Sequence, residues 1–199
     1  MKPLQIGITG GIGSGKSLIC KILDLLKIPV FNADEVSKKL LDTDQEVINS
    51  VIALLGPNAY PGNGKADRTY IAGIVFNNPE KLQSLNAMLH PAVQQHYLNW
   101  VSIHNSFPIV AKEAAIMFES GSNKGMDYII AVTAPEELRI ERVQKRDGKS
   151  VAEVNNIIKQ QLSHDEVIYR SDFCIVNDNQ HLVIPQILEI ISKLKSDSN

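Results

Sequence analysis

The chain has 199 residues, 44% hydrophobic and 21% charged, an ordinary globular balance that excludes global disorder and collagen-like repetition. Lys and Arg number 20 against 22 Asp and Glu, a net charge of −2 that leaves no overall basic excess for a nucleic-acid backbone, so no nucleic-acid partner is expected. Cys20 and Cys174 stand far from any CxxC or Cys/His cluster, which argues against a disulfide scaffold or structural zinc and fits a reducing compartment.

No apolar run approaches the ~18–20 residues of a membrane span, and the N-terminus runs into glycines and a lysine without a cleavage site. The expectation is a soluble cytoplasmic protein, monomeric and without a membrane partner.

In chain order, Leu4 to Thr9 is a short apolar run ending in glycines, as a buried parallel strand does. Leu18, Ile19, Ile22, Leu23, Leu25 and Leu26 then recur at helical spacing. Pro29-Val30-Phe31 reads as a second strand, with Asp34 near the start of the next helix. From there to about residue 105 the pattern is helical. Thr43 to Glu46 reads as a capping box with Thr43 as the cap. Residues 58–64 read as a loop rich in Asn, Pro and Gly. Asp67 caps a helix, Asn78-Pro79 starts another, and His90-Pro91 breaks that one and opens a further helix.

Strand signals return at Ile109-Val110-Ala111 and at Tyr128 to Val132. A charged helix spans 135–146, and Ser150 to Glu153 and Ser163 to Glu166 are further capping boxes. Residues 173–176 form the last strand and 184–194 a closing amphipathic helix. Ser196 to Asn199 reads as a frayed tail. Five strands alternating with helices imply an α/β fold built on a parallel sheet, with the long helical block as a substrate-side insertion.

Gly10-Gly11-Ile12-Gly13-Ser14-Gly15-Lys16-Ser17 fits G-x-x-x-x-G-K-[ST] in full, after a strand and at the start of a helix. Such a loop turns backbone N–H groups toward phosphates, and the helix N-terminus adds partial positive charge. Lys16 would reach the β- and γ-phosphates of a nucleotide and the Ser17 hydroxyl would ligate Mg²⁺, which leaves several phosphate-loop classes open. No Asp is followed by Gly three residues later, and Asn123-Lys124-Gly125-Met126-Asp127 carries one residue too many for a guanine motif, so a GTP switch is disfavoured.

Asp34 follows the second strand, where the strand ends of an open parallel sheet form the ligand crevice; it reads as an acceptor-side carboxylate, as a helix N-cap, or as both. Arg139, Arg142 and Arg146 share one helix face. They fit a solvated face or a lid whose Arg142 and Arg146 act over the transferring phosphoryl group. His90 fits a base or a helix junction; His96, His104, His164 and His181 have no metal spacing; Asp172 and Asn177 fit an adenine-side loop or turns.

These motifs together resemble the dephospho-coenzyme A kinase family over nearly the full length. The resemblance rests on Ile8 to Ser17, Ala33-Asp34, Asp67-Arg68, Leu85 to Pro91, Arg142 to Asp147, Gln161, and Asp172 to Asn177. It implies a P-loop NTPase core (1–33 and 107–199), a helical coenzyme-binding insertion (34–106) and a helical lid (135–165). It also implies ATP-dependent phosphorylation of the ribose 3′-hydroxyl of dephospho-coenzyme A, with a kinase of another small hydroxyl or nucleoside monophosphate as the alternative and a nucleotide-dependent switch behind it.

The implied catalytic residues are Asp34, Lys16 and Arg142. The nucleotide would meet residues 11–18 through Leu18, with Arg146 and Asn177; the acceptor would meet Thr9, Asp34, His90 and Glu119. The chain departs from the family pattern at Asn32, where an aspartate is usual, at Leu18, at the missing proline near Ala115, and at Val167.

Overall fold

The computed structural model describes residues 2–62 and 64–196. The tail at 197–199 and part of the 58–64 loop, at Asn63, lie outside the described residues. The chain divides into two compact units, Met1–Asn32 with Val101–Asn199, and Ala33–Trp100.

The first unit is built on a five-stranded parallel sheet in the order β2-β3-β1-β4-β5. Its strands are β1 (Leu4–Thr9), β2 (Val30–Asn32), β3 (Ile109–Glu113), β4 (Tyr128–Thr133) and β5 (Phe173–Val176). Central β1 pairs on one side with β3 and on the other with β4; the connection leaving β1 runs toward β2 and the one leaving β3 runs the opposite way to β4, so the topological switch lies at the carboxyl ends of β1 and β3. That is where parallel α/β sheets gather their ligands.

Helices α1 (Lys16–Leu25) and α9 (Val183–Ser196) cover one face. Their Ile19, Leu23, Ile187, Ile190, Ile191 and Leu194 close over Ile6, Ile8, Ile109, Ala111, Ile130, Val132 and Ile175 of the strands. This alternation in β1, β3 and β4 is period two, with the other set of side chains facing the second layer.

Strand β3 runs two residues past the apolar stretch, through Lys112 and Glu113, both buried. Ladder pairing with Gly7 and Ile8 of β1 carries it on where side-chain polarity signals a stop. Burial pushes the Lys112 ammonium down from its usual value to about 8. Asp172 bridges the far end of the sheet, its carboxylate accepting from Ile129 N at 2.7 Å while its own N–H donates to Ile129 O.

Three helices follow β4: α6 (Glu136–Asp147), α7 (Val151–Lys159) and α8 (His164–Tyr169). Gly148 ends α6 in the left-handed conformation at φ 68, a geometry that costs glycine nothing. Ser150 and Glu153 form the reciprocal capping box. Ser163 caps α8 through Glu166 N, but Glu166 turns its carboxylate to Arg170 instead of back to the cap, so only half of that box forms.

The second unit is helical: α2 (Ala33–Thr43), α3 (Gln45–Leu55), a 3₁₀ turn (Pro57–Ala59), α4 (Arg68–Val75) and most of α5 (Pro79–Ile103). Leu41, Val47, Val51, Leu55, Ala59, Ile71, Val75, Leu85 and Leu89 form its core. Asp44, not Thr43, caps α3, accepting from Glu46 N and Val47 N. Thr43 stays in α2 with its hydroxyl on Lys39 O. Asp67 caps α4 and Asn78 caps α5, as their sequence positions imply. Arg68 pairs with Asp42 at 2.7 Å.

The expected break at His90-Pro91 does not occur; α5 runs through Pro91. Leu85, Leu89, Val93, Tyr97 and Val101 are all buried at four-residue intervals. At about 1.5–3 kcal/mol each, that stripe outweighs the ~3 kcal/mol an internal proline costs. Among the described residues no helix is long and apolar enough to cross a membrane.

Candidate active site

The 10–17 loop leaves β1, the central strand, and enters α1 through Gly15, the N-cap, held at φ 100. Gly13 is also left-handed at φ 78. A side chain at either would be strained, and one at Gly15 would also strike the Asn177 amide.

Each carbonyl from Gly10 to Ser14 accepts a hydrogen bond. Lys16 Nζ donates to Gly10 O at 2.8 Å, Ser14 N to Gly11 O at 3.2 Å, and Arg139 Nε to Ile12 O at 2.9 Å. Arg142 Nη1 donates to Gly13 O at 3.4 Å and Asn177 Nδ2 to Ser14 O at 2.8 Å. With the carbonyls engaged, none of the described residues accepts from the N–H of Gly13 or Gly15. A ring of N–H donors at a helix N-terminus is an anion site. Ile12 N and Ser14 N are engaged elsewhere, the first donating to Gln161 Oε1 at 2.9 Å and the second to Gly11 O.

Lys16 also lies 4.0 Å from the Glu113 carboxylate at the end of β3. Ser17 in the first turn of α1 is exposed, so its hydroxyl is open to a metal ion; Leu18 beside it is 46% exposed. Ser14 is the opposite case: its hydroxyl is buried with no hydrogen-bond partner among the described residues, so it serves the loop through its backbone. Among the described residues no cluster of three or more His, Cys, Asp or Glu could hold a metal by itself, so a magnesium ion here needs phosphate oxygens as co-ligands.

The arginines of α6 divide. Arg142 donates to Gly13 O, to Asn177 O at 3.0 Å and to Asn179 Oδ1 at 2.7 Å, tying the loop to the turn after β5. Arg139 is 6% exposed and lies against the loop. Arg146 faces outward and pairs with Asp147, which raises the guanidinium and lowers the carboxyl relative to their usual values. In the turn after β5, Asp178 accepts from Gln180 N, His181 N and His181 Nδ1, bonds that hold its carboxyl well below the usual range.

Of the acceptor-side residues, Thr9 is buried at the end of β1, and Glu119, beyond β3, accepts from Leu162 N at 2.9 Å. Asp34 is exposed in the first turn of α2, two residues past the end of β2, and His90 lies within α5. A cavity of about 450 Å³ in the first unit is lined by residues including Thr133, Arg139, His164, Ile168, Cys174 and Val176. Cys174 is exposed there, its Sγ 3.5 Å from Thr133 Oγ1.

Sequence reasoning assigned no role to Glu113 or Arg139. Glu113 hides behind an expected strand end at Ala111; its signal is the rule that ligands gather at strand carboxyl ends.

A phosphate loop after the central strand of a five-stranded parallel sheet, with arginines from the following layer on its carbonyls, defines a P-loop phosphotransferase. Residues 4–182 match the family described as Dephospho-CoA kinase. The Dephospho-CoA kinase of Bacteroides fragilis is 39% identical over 191 residues, covering 96% of this chain and 93% of the relative. The crystal structure of TT1252 from Thermus thermophilus superposes with a TM-score of 0.84 at 29% identity, covering 99% of this chain and 98% of that one. Dephospho-CoA kinase from Campylobacter jejuni shares the fold with a TM-score of 0.72 at 24% identity, covering 99% of this chain and all of that one. The chain belongs to the dephospho-CoA kinase family.

Proposed function

We propose that the chain transfers the γ-phosphoryl group of ATP to the 3′-hydroxyl of the ribose of dephospho-coenzyme A, giving coenzyme A and ADP. The observation that carries the nucleotide half is the phosphate loop, whose carbonyls are bonded away while the N–H groups of Gly13 and Gly15 and the α1 N-terminus remain for an anion. Family membership carries the acceptor half.

In this reading the β- and γ-phosphates lie on the N–H groups of residues 11–18, with Lys16 as the cation beside them. Lys16 leaves Gly10 O for phosphate oxygen, and Glu113, 4.0 Å away, keeps its ammonium aimed. Magnesium, held by the Ser17 hydroxyl together with the phosphates, supplies neutralising charge when bound. Asn177 frames the adenine side, Arg142 acts over the transferring phosphoryl group, and Arg146 exchanges Asp147 for phosphate. Asp34 orients the ribose hydroxyl and accepts its proton as the new O–P bond forms and the bond from the γ-phosphorus to the bridging oxygen breaks; Thr9, His90 and Glu119 serve acceptor binding. The units assigned are the core (1–33 and 107–199), the coenzyme-binding insertion (34–106) and the lid (135–165), in a cytoplasmic monomer.

The test is ADP release with dephospho-coenzyme A against adenosine, AMP, shikimate and gluconate. Only the first should support steady turnover. Asp34→Asn should then lower the single-turnover rate about 10²–10⁴-fold while dephospho-coenzyme A affinity holds. Unchanged turnover in that variant removes Asp34 from the chemistry, and Lys16→Ala with near-normal turnover overturns the loop assignment.

A further inference from the structure

Arg139 differs from its neighbours on α6. Its guanidinium is almost wholly buried, although nothing in the charged run Arg139 to Asp147 marks one arginine for burial. Burial pulls it below the usual arginine value, with Glu136 opposing, but guanidinium remains protonated far above neutral pH.

Its position explains the burial. Nε donates to Ile12 O, the carbonyl at the crown of the phosphate loop, at 2.9 Å. A Cβ added at Gly11 would strike the guanidinium, and one at Gly13 would strike the Arg139 backbone carbonyl. The loop and the first turns of α6 are thus in direct contact, with the arginine folded over Gly11.

On the other side of the crown, Gln161 Oε1 takes the N–H of Ile12. Ile12 N belongs to the peptide joining residues 11 and 12, and Ile12 O to the peptide joining 12 and 13. Two successive peptide planes are therefore fixed, one by a residue near α8 and one by α6. Only the α6 partner carries a charge, and hydrogen bonds from a charged donor are about twice as strong as neutral ones.

We propose that Arg139 is a positioning residue for phosphate binding: it holds the 12–13 peptide so that the N–H groups following it stay turned toward the anion. The inference rests on the nucleotide reading of the loop and is independent of the acceptor's identity. It also assigns Gly11 a second reason to be glycine: the space a Cβ would fill belongs to Arg139. The Gly11 backbone is not in the left-handed region, so alanine there meets the arginine rather than backbone strain.

The experiment measures equilibrium binding of ATP, inorganic triphosphate and adenosine to the full chain and to Arg139→Met, Arg139→Lys and Gly11→Ala. In Arg139→Met, ATP and triphosphate should bind 10–100-fold more weakly and adenosine within twofold of wild type. Lysine, which can still donate to Ile12 O, should recover most of the loss. Equal weakening of all three ligands, or ATP affinity within twofold of wild type, overturns the proposal.

A thermodynamic cycle gives the second reading. Gly11→Ala should weaken ATP at least tenfold in the wild-type background and less than threefold when combined with Arg139→Ala. Additive losses overturn it. Should Arg139→Met fail to fold, Arg139→Lys decides: full ATP affinity with an unchanged melting temperature supports the donor role, and loss of all three ligands together counts against it. Every readout is binding, so an inactive acceptor assay would bear on the proposed reaction without touching this result.

Discussion

Helix α6 and the pair α7–α8 are consecutive in sequence but differ in composition, α6 being mostly charged and α7 mostly apolar and amide-bearing, and they are attached to the sheet unit differently. From α6, Arg139 and Arg142 make four hydrogen bonds to the loop and the turn after β5. Helix α7 starts on its own capping box and packs on α6 with Val154 fully buried, and the 161–162 turn before α8 reaches outward through Gln161 to Ile12 N and Leu162 N to Glu119. Helix α6 is thus anchored through its first two turns, so within the proposed 135–165 lid the segment after Gly148 is the part expected to move most. Segments with few tertiary bonds open most readily, and lids are drawn from them.

The largest effect should come from cutting the anchor. Arg142→Ala removes three of the four bonds, and kcat/KM for ATP should fall at least about 100-fold, the equivalent of one bond to a charged group at about 1.5–3 kcal/mol. Amide exchange should rise across 136–147. A loss confined to 151–170 would reverse the comparison.

The sheet under both regions offers a control that disturbs neither. A lysine with a lowered folded pKa is neutral when folded but still protonated when unfolded as pH rises from about 8 toward 10.5. The unfolded chain then binds more protons, so wild-type stability should improve relative to Lys112→Met across that window, by about 1–2 kcal/mol. Chemical denaturation at pH 7 and pH 10 measures it; a difference independent of pH would place the titration elsewhere.

Gln161→Ala should act on the other region. ATP affinity should change only two- to fivefold, with faster exchange across 151–170 and none across 136–147. Ser150→Ala is the smallest: about 1 kcal/mol of α7 stability and turnover within twofold of wild type. If it slows turnover more than Gln161→Ala, the cap rather than the Ile12 contact controls the lid.

The phosphate loop was fully legible because its geometry depends on glycine positions and on a lysine and serine that sequence displays directly. The five strands were legible from apolar runs, though β3 appeared two residues short because Lys112 and Glu113 look like a loop. Arg142 and Arg146 read as one mobile face because helical spacing puts them together; which arginine turns inward depends on a loop more than 120 residues away. Pro91 read as a break because its cost is local, whereas the buried stripe that overrides it spans 85–101. Thr43 and Asp44 both suit an N-cap, and the choice turned on Thr43 bonding back into α2.

The cysteines have a practical consequence. Burial pushes the Cys20 thiol to about 12, leaving roughly one molecule in 10⁴ or fewer as thiolate at neutral pH, and thiolate is the species that alkylates. Cys174 is exposed on β5, beside His164 and Ile168 of α8. A maleimide fluorophore should therefore couple to the native chain at one place without engineering. That place shares a cavity with His164, at the end of the proposed 135–165 lid, so a label there should report on closure if that segment moves.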